Sequence, residues 1–150
     1  MNNKNNPFTY SSANDATGFL LYKVHNYWQR EIKRALKKLN ITHTQYVIMA
    51  SAYWLILKKG GVTQIEIANL AEMDVMMTSN VIRTLEKKEL LIREAHKTDT
   101  RAKIVKLTEK GIEILNKAVK KVENFDRDFF NKLKDSEKFN KELIRLLNKK

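Results

Sequence analysis

The chain lacks cysteine and has only one proline and four glycines in 150 residues. Without cysteine it can form no disulfide bond and perform no thiol chemistry. The single proline, Pro7, lies outside every predicted helix and strand, and so few glycines are typical of a mainly helical chain with few turns. No apolar run approaches the roughly 18 residues of a membrane-spanning helix, and the first residues lack the apolar core of a secretion signal. We therefore expect a cytoplasmic protein with no membrane partner.

Acidic residues are also scarce, with 17 against 29 basic residues, a net charge of +12 and a pI near 9.8. An excess of this size suggests a polyanionic partner such as nucleic acid. The basic residues are spread along the whole chain, so charge alone does not locate a binding face.

The motifs of common enzymes are missing too, including a nucleophile elbow, a glycine-rich phosphate loop and HExxH. The histidines, His25, His43 and His96, are too scattered in the sequence for a metal-binding motif. We therefore expect no enzymatic activity, no cofactor and no metal site.

Apolar residues at helical spacing and capping residues predict several helices. Thr42 and Thr63 each precede a Gln or Glu by three residues, the pattern of a capping box, and Asp74 is a good N-cap. The first residues, rich in Asn and Ser, are expected to form a disordered tail over residues 1–14. Helices are predicted over residues 15–39, 42–57, 64–71 and 75–88, after Thr108, and from Ser136.

The helices at residues 64–71 and 75–88, separated by a tight break, form a helix-turn-helix. LLIREA and AKIVKL, on either side of the polar segment HKTDTR, predict a two-stranded hairpin. The predicted fold is therefore mainly α with a small β-hairpin wing. A winged helix-turn-helix occupies residues 41–108, and helical dimerisation regions occupy residues 15–40 and 109–150.

The order and spacing of these helices, strands and motifs resemble those of the multiple antibiotic resistance regulator (MarR) family of bacterial transcription factors. The chain departs from the family at Glu72 and Glu89, where glycine is common. The resemblance implies a DNA-binding transcriptional regulator, typically a dimeric repressor released by a small-molecule effector. The residues that carry it are Thr42, Gln45, Tyr46, Leu85-Glu86-Lys87-Lys88, Leu90, Leu91, Arg93, Asp99-Thr100-Arg101, Val105-Lys106-Leu107-Thr108 and Gly111.

The helix over residues 75–88 is expected to enter the major groove of double-stranded DNA, and the wing at residues 96–103 the minor groove. We expect Asp99 to orient Arg101 through a charge-assisted bond; the alternative is a solvated loop whose charges only keep it soluble. Met76 and Met77 could lie against thymine methyl groups or belong to the core. The candidate DNA contacts are Gln64, Met76, Met77, Ser79, Asn80, Arg83, Lys97, Arg101 and Lys103.

The apolar stripes at residues 112–133 and 139–147 are more than a small winged helix is expected to bury. A two-fold homodimer would cover them, and it would bind a pseudo-palindromic operator with half-sites about one turn, roughly 10 base pairs, or a multiple of that apart. The alternative is packing within a monomer. The candidate dimerisation residues are Ile112, Leu115, Val119, Val122, Phe129, Leu133, Phe139, Leu143 and Leu147.

The family resemblance also implies a pocket for a small aromatic or anionic effector between the dimer helices and the winged domain. The aromatic candidates are equally compatible with plain core packing. A different class of function is also open, namely a winged-helix module that binds proteins or binds DNA without sequence preference. The candidate pocket residues are Tyr22, His25, Trp28, Tyr46 and Trp54.

Overall fold

The computed structural model describes residues 7–95 and 103–148. This part of the chain is mainly helical with one small antiparallel sheet, so the predicted fold class is confirmed. None of the described helices combines the length and apolar character needed to cross a membrane. The helices are α1 (Thr17–Leu36), α2 (His43–Lys59), α3 (Gln64–Leu70), α4 (Val75–Lys87), α5 (Glu109–Phe130) and α6 (Ser136–Leu147), and the strands are β1 (Val62–Thr63), β2 (Leu91–Ala95) and β3 (Lys103–Leu107).

The helices of the winged part begin at the predicted caps. Before α2, the Thr42 hydroxyl accepts a hydrogen bond from the Gln45 N–H at 3.1 Å, and the Gln45 side chain accepts one from the Thr42 N–H at 3.1 Å. Thr63 and Glu66 make the same pair of bonds at the start of α3. Asp74 caps α4 through a backbone N–H. Each such cap stabilises its helix by about 1 kcal/mol, and together they fix where α2, α3 and α4 begin.

The predicted hairpin is confirmed, because β2 and β3 pair as antiparallel strands from Leu91–Leu107 to Ala95–Lys103. The prediction missed β1, which pairs with the other edge of β3 and gives the strand order β1-β3-β2. A strand of two residues is too short to show an alternating pattern. The hairpin tip at residues 96–102, with Lys97, Asp99 and Arg101, lies outside the described residues.

The segment before α1 differs in part from the predicted disordered tail. Residues 13–15 form one turn of 3-10 helix, because the Ser12 and Asp15 side chains each accept a hydrogen bond from the backbone of this turn. Residues 1–6 lie outside the described residues.

A single core joins the winged part to α1 and α5. The prediction that Leu115 and Val122 belong to a dimer interface is wrong, because these side chains are only 2% and 4% exposed in the single chain. Both belong to the core because α5 packs against α1 and α2 of its own chain, so they are not available to a dimer partner. The buried core side chains include Ile32, Leu36, Ile48, Met49, Ala52, Val62, Ile67, Ile82, Leu85, Leu91, Val105, Leu115 and Val122.

The uncovered apolar surface lies on α1 and α6 more than on α5. The other predicted dimerisation residues of α5, Ile112, Val119 and Phe129, are half-buried. Leu133, Phe139 and Leu143 are also half-buried, whereas Leu147 is exposed. The exposed apolar side chains of the two helices are Phe19, Leu20, Leu21, Tyr22, Val24, Tyr27, Ile144, Leu146 and Leu147.

The two positions at which the chain departs from the family pattern both adopt left-handed backbone. Glu72, between α3 and α4, has φ 48°, and Glu89, between α4 and β2, has φ 60°. At the second corner the Glu89 carbonyl accepts a hydrogen bond from the Thr108 hydroxyl at 2.7 Å. The Glu89 carboxylate accepts one from Lys110 at 2.9 Å, and this bond lowers the pKa of Glu89. These contacts attach the start of α5 to the base of the wing.

Candidate nucleic-acid interface

Helix α4 has one buried and one exposed side. Thr78, Ile82 and Leu85 are fully buried. The predicted DNA contacts Asn80 and Arg83 are exposed, and so are Met76 at 67% and Met77 at 55%. The side chains proposed to reach DNA therefore lie on the open side of the helix.

Ser79 is the exception. This candidate DNA contact is only 7% exposed, so it lies at the edge of the core and not on the open side of α4 as a base-reading side chain would. In an α-helix residues three apart share a face, and Ser79 stands three residues before the fully buried Ile82. The polarity of Ser79 favours the polar side of the helix, but its helical position places it at the edge of the core.

The open side of α4 points away from the body of the protein. The buried side packs against α2, α3 and β2, all within the winged part of the chain. The candidate DNA contact Gln64 is the first residue of α3, the helix that precedes α4 in the chain, and its side chain is half-buried. The Thr63 side chain is engaged in the capping box of α3, so the main role of Thr63 is structural.

The cap residue Asp74 and the α4 residue Glu86 are both held by other groups. Arg93 donates two hydrogen bonds to the Glu86 carboxylate, at 3.0 Å and 2.6 Å. Asp74 accepts the N–H of Met77 at 2.9 Å. Arg83 and Lys87 take part in no ion pair within residues 7–95 and 103–148. The open side of α4 therefore presents unpaired positive charge, which suits a polyanion.

Glu66, at the start of α3, is similarly paired. Its carboxylate accepts a hydrogen bond from Lys59 at 2.6 Å and one from the Thr63 N–H at 2.9 Å. These bonds lower the pKa of Glu66, so the group stays ionised as both cap and ion-pair partner.

The described part of the wing adds one candidate DNA contact. Lys103 is exposed at the first position of β3 and lies opposite Ala95. Further along the sheet, Lys106 is paired with Glu94 at 2.6 Å. The proposed orientation of Arg101 by Asp99, and the contact from Lys97, remain predictions because those residues lie outside the described part.

A polar and aromatic cluster joins α1, α2 and α5. The Trp28 indole N–H donates a hydrogen bond to the Asp126 carboxylate at 2.7 Å. The His43 and Trp28 rings are T-shaped, with centres 5.0 Å apart, and the His43 ring stacks on Tyr46 at 6.2 Å. Its Nδ1 lies 3.2 Å from the Gln29 side-chain oxygen. We call Trp28, Gln29, His43, Tyr46 and Asp126 the junction cluster.

Burial perturbs both titratable rings of the junction cluster. It lowers the pKa of His43; Asp126 opposes this shift and His25 adds to it. Burial also raises the pKa of Tyr46, with further contributions from Glu123 and Asp126. The cluster therefore favours neutral rings beside one carboxylate.

Only part of the predicted effector pocket is brought together. Trp28 and Tyr46 belong to the junction cluster, and His25 is close enough to affect the pKa of His43. In the single chain Tyr22 stacks on Phe19 and is 61% exposed. Trp54 is 55% exposed, with the Lys58 ammonium 5.1 Å from its ring centre. The pocket between the dimer helices and the winged domain therefore stays a prediction, with Trp28, Tyr46 and His25 close together and Tyr22 and Trp54 at the surface of the single chain.

The prediction also missed His43 and Asp126, two members of the junction cluster that the sequence could have revealed. His43 lies three residues before the predicted Tyr46 at the start of a helix, so the two rings share a face. Asp126 interrupts the apolar repeat of α5, an interruption that its bond to Trp28 explains.

Among the described residues no group of three or more His, Asp or Glu side chains is placed to hold a metal ion.

The comparison with known proteins identifies the family. A model of the MarR family matches residues 41–103, within the predicted winged helix-turn-helix. The uncharacterised HTH-type transcriptional regulator YdcH of Bacillus subtilis (strain 168) is 36% identical over 138 residues, which span 92% of this chain and 94% of that protein. The chain belongs to the MarR family. As a member it is a DNA-binding transcriptional regulator.

Solved structures agree with the fold of this MarR-family chain. MepR of S. aureus, solved in complex with DNA, has a TM-score of 0.80 at 22% identity, covering 91% of this chain and 97% of MepR. CouR of Rhodococcus jostii RHA1, solved with p-coumaroyl-CoA bound, has a TM-score of 0.78 at 22% identity, covering 91% of this chain and 93% of CouR. At such identities the likeness establishes the winged-helix fold.

Proposed function

We propose that this MarR-family regulator binds double-stranded DNA sequence-specifically as a homodimer, with α4 in the major groove and the wing in the minor groove. The observation that carries the proposal is the open side of α4, where Asn80, Arg83 and Lys87 are exposed while the neighbouring Glu86 is paired with Arg93. The structure of the similar protein MepR in complex with DNA supports the same kind of partner. Such a protein would act in the cytoplasm, without an enzymatic step.

The side chains on α4 suit different parts of the duplex. The Asn80 amide can make a paired hydrogen bond with adenine, and the Arg83 guanidinium can do so with guanine or contact a phosphate. Met76 and Met77, one turn earlier, offer apolar contacts. Gln64 at the start of α3 would reach the backbone, and the wing would add Lys97, Arg101 and Lys103.

The exposed apolar side chains of α1 and α6 support the homodimer. Exposed apolar side chains grouped on a helix mark an interaction surface, and a second copy related by a two-fold axis would cover those of α1 and α6. Residues 15–40 and 109–150 would then serve as the dimerisation region. A two-fold dimer places two reading helices about one turn of DNA apart, which predicts a pseudo-palindromic operator.

A small-molecule effector would act through the junction cluster. This cluster joins α1 and α5, of the proposed dimerisation region, to the first turn of α2 in the winged part. An aromatic or anionic ligand that separated Trp28 from His43 would shift the winged part against the dimer helices. The complex of the similar protein CouR with p-coumaroyl-CoA supports an effector of this class. We therefore propose a repressor released by ligand.

The proposal is tested by selecting bound fragments from sheared genomic DNA and measuring their binding over competitor DNA at several salt concentrations. We expect preferred fragments, and an affinity that falls linearly with salt on logarithmic axes, because phosphate contacts release counterions. Arg83→Ala should weaken binding by about 1–3 kcal/mol. Lys121→Ala, which removes an exposed basic residue from α5, should have little effect.

The same experiment separates the alternatives. Tight binding with no preference over competitor would indicate an architectural DNA-binding protein. No binding to any fragment would contradict the proposal and favour a module for protein partners.

A further inference from the structure

The leading turn of α4 is apolar and exposed. After the cap residue Asp74, three consecutive side chains, Val75, Met76 and Met77, are 37%, 67% and 55% exposed. Over the next two turns the exposed residues include the polar Asn80 and the basic Arg83. The reading helix therefore begins with apolar groups and continues with hydrogen-bonding groups.

These methionines are not core residues of the single chain. The core side of α4 is already filled by Thr78, Ser79, Ile82 and Leu85, which pack towards α2, α3 and β2. An exposed methionine at one position is unremarkable in a soluble protein, but here two adjacent ones occupy the first turn of the helix expected to enter the groove. That location calls for an apolar partner inside the binding site.

The charges around this turn indicate the nature of that partner. Asp74 is engaged with the Met77 N–H and Glu86 with Arg93, while Arg83 is exposed and forms no ion pair with any residue that the structure describes. An apolar protein surface would leave that positive charge without a counter-charge. The major groove of DNA offers both, since phosphates line its edges and the thymine methyl is the apolar group on its floor.

We infer that Met76 and Met77 contact thymine methyl groups and thereby select thymine at defined positions of each half-site. This inference rests on the proposed function and names the bases that it requires. The methionine side chain is flexible and polarizable, which suits a contact with a small methyl group. Val75, which is less exposed and shorter, would support this contact from the side.

Helix geometry places the thymines relative to the base read by Asn80. Met76 and Asn80 are four residues apart on one face, a separation of about 6 Å along the helix axis. Successive base pairs are about 3.4 Å apart. A reading helix that follows the groove should therefore place the thymine contact about two base pairs from the base that Asn80 contacts.

The test begins with duplexes selected from a random library by the full-length protein. Each thymine of the preferred half-site is then replaced singly by deoxyuridine, which lacks only the 5-methyl group. We expect one or two positions at which the replacement lowers the affinity about fourfold, the factor associated with one buried methyl group. Replacement at the other positions should change the affinity by less than about twofold.

Alanine variants then assign the effect to a side chain. Met76→Ala or Met77→Ala should bind thymine and deoxyuridine duplexes equally at the position that the side chain contacts. Both side chains are exposed, so neither change removes core packing. Leu57→Ala is the matched control, because Leu57 is 66% exposed on α2, and this variant should keep the full response to the methyl group.

The outcomes separate the inference from the function on which it rests. A selected duplex whose affinity is unchanged by deoxyuridine at every thymine would overturn the inference and leave the proposed function standing. A response that persists in both methionine variants would overturn the assignment to these residues. Enrichment of no duplex would overturn the proposed function and the inference together.

Discussion

Gly111, the third residue of α5, touches the corner at which α4 leads into β2. A Cβ atom at this position would stand 2.0 Å from the Leu90 carbonyl oxygen and 2.9 Å from the Leu90 carbonyl carbon. The same oxygen accepts a hydrogen bond from the Thr108 N–H at 3.2 Å. Since both partners are backbone, no side-chain rotation can relieve the contact. We predict that Gly111→Ala destabilises the protein and displaces the base of the wing.

The magnitude follows from two opposing effects. Forcing extra volume into a packed site costs about 1–3 kcal/mol, and a contact this short lies at the upper end of that range. Replacing glycine by alanine also restricts the unfolded chain, which stabilises the fold by about 0.4–1 kcal/mol. The net loss should be about 2 kcal/mol. For a domain of this size that corresponds to a melting temperature lowered by about 4–8 °C.

Gly18→Ala is the matched control for this substitution. Gly18 lies in the first turn of α1 with no atom within 4 Å of the added Cβ. Alanine favours helix more than glycine does, so this variant should be unchanged or more stable by up to about 0.5 kcal/mol.

The free energies of unfolding of both variants and the parent are measured by urea unfolding. All three proteins are used at one concentration, because dimerisation would raise the apparent stability. Equal stability of Gly111→Ala and the parent would refute the close approach of α5 to Leu90.

Three further predictions concern the junction cluster and the α3–α4 turn. Trp28→Phe removes the indole donor to Asp126 and should lower the free energy of unfolding in urea by about 1.5–3 kcal/mol. The double variant with Asp126→Ala should lose less than the sum of the two single losses, and simple additivity would contradict the hydrogen bond. Because burial lowers the pKa of His43 below 6.5, the folded chain binds that proton less readily than the unfolded chain, and stability should fall as the pH drops through 6.5. His43→Gln should reduce that fall between pH 7 and pH 5, and identical pH profiles would disprove the contribution. Glu72→Gly relieves left-handed backbone and should stabilise the fold by about 0.5–1 kcal/mol, whereas Glu72→Ala keeps the strain and should not; equal melting temperatures of the two variants would count against the strain.

Local signals predicted much of the fold. Capping at Thr42, Thr63 and Asp74 depends on residues three apart in the sequence, and the structure confirms all three. The β2–β3 hairpin follows from two short apolar runs around a polar segment. Strand β1 could not be predicted in this way, because its formation depends on pairing with β3, more than 40 residues later in the chain.

The errors concern residues whose environment is decided by tertiary packing. The polarity of Ser79 favours the open side of α4, but the side chain lies at the edge of the core. The apolar repeat of α5 predicts Leu115 and Val122 in a dimer interface, but α1 and α2 of the same chain already cover them. Sequence periodicity identifies an apolar face without specifying which surface covers it.

The central claim is that the open side of α4 lies in the major groove, and the absence of cysteine makes it directly testable. A single cysteine introduced as Asn80→Cys can carry an iron chelate that cuts DNA nearby. With a selected duplex, we predict two clusters of cuts about 10 base pairs apart, one for each reading helix. The same reagent at Lys121→Cys, about 18 Å along α5 from its start, should give few cuts. Equal cutting from both positions, or none from position 80 on DNA that is demonstrably bound, would contradict the account.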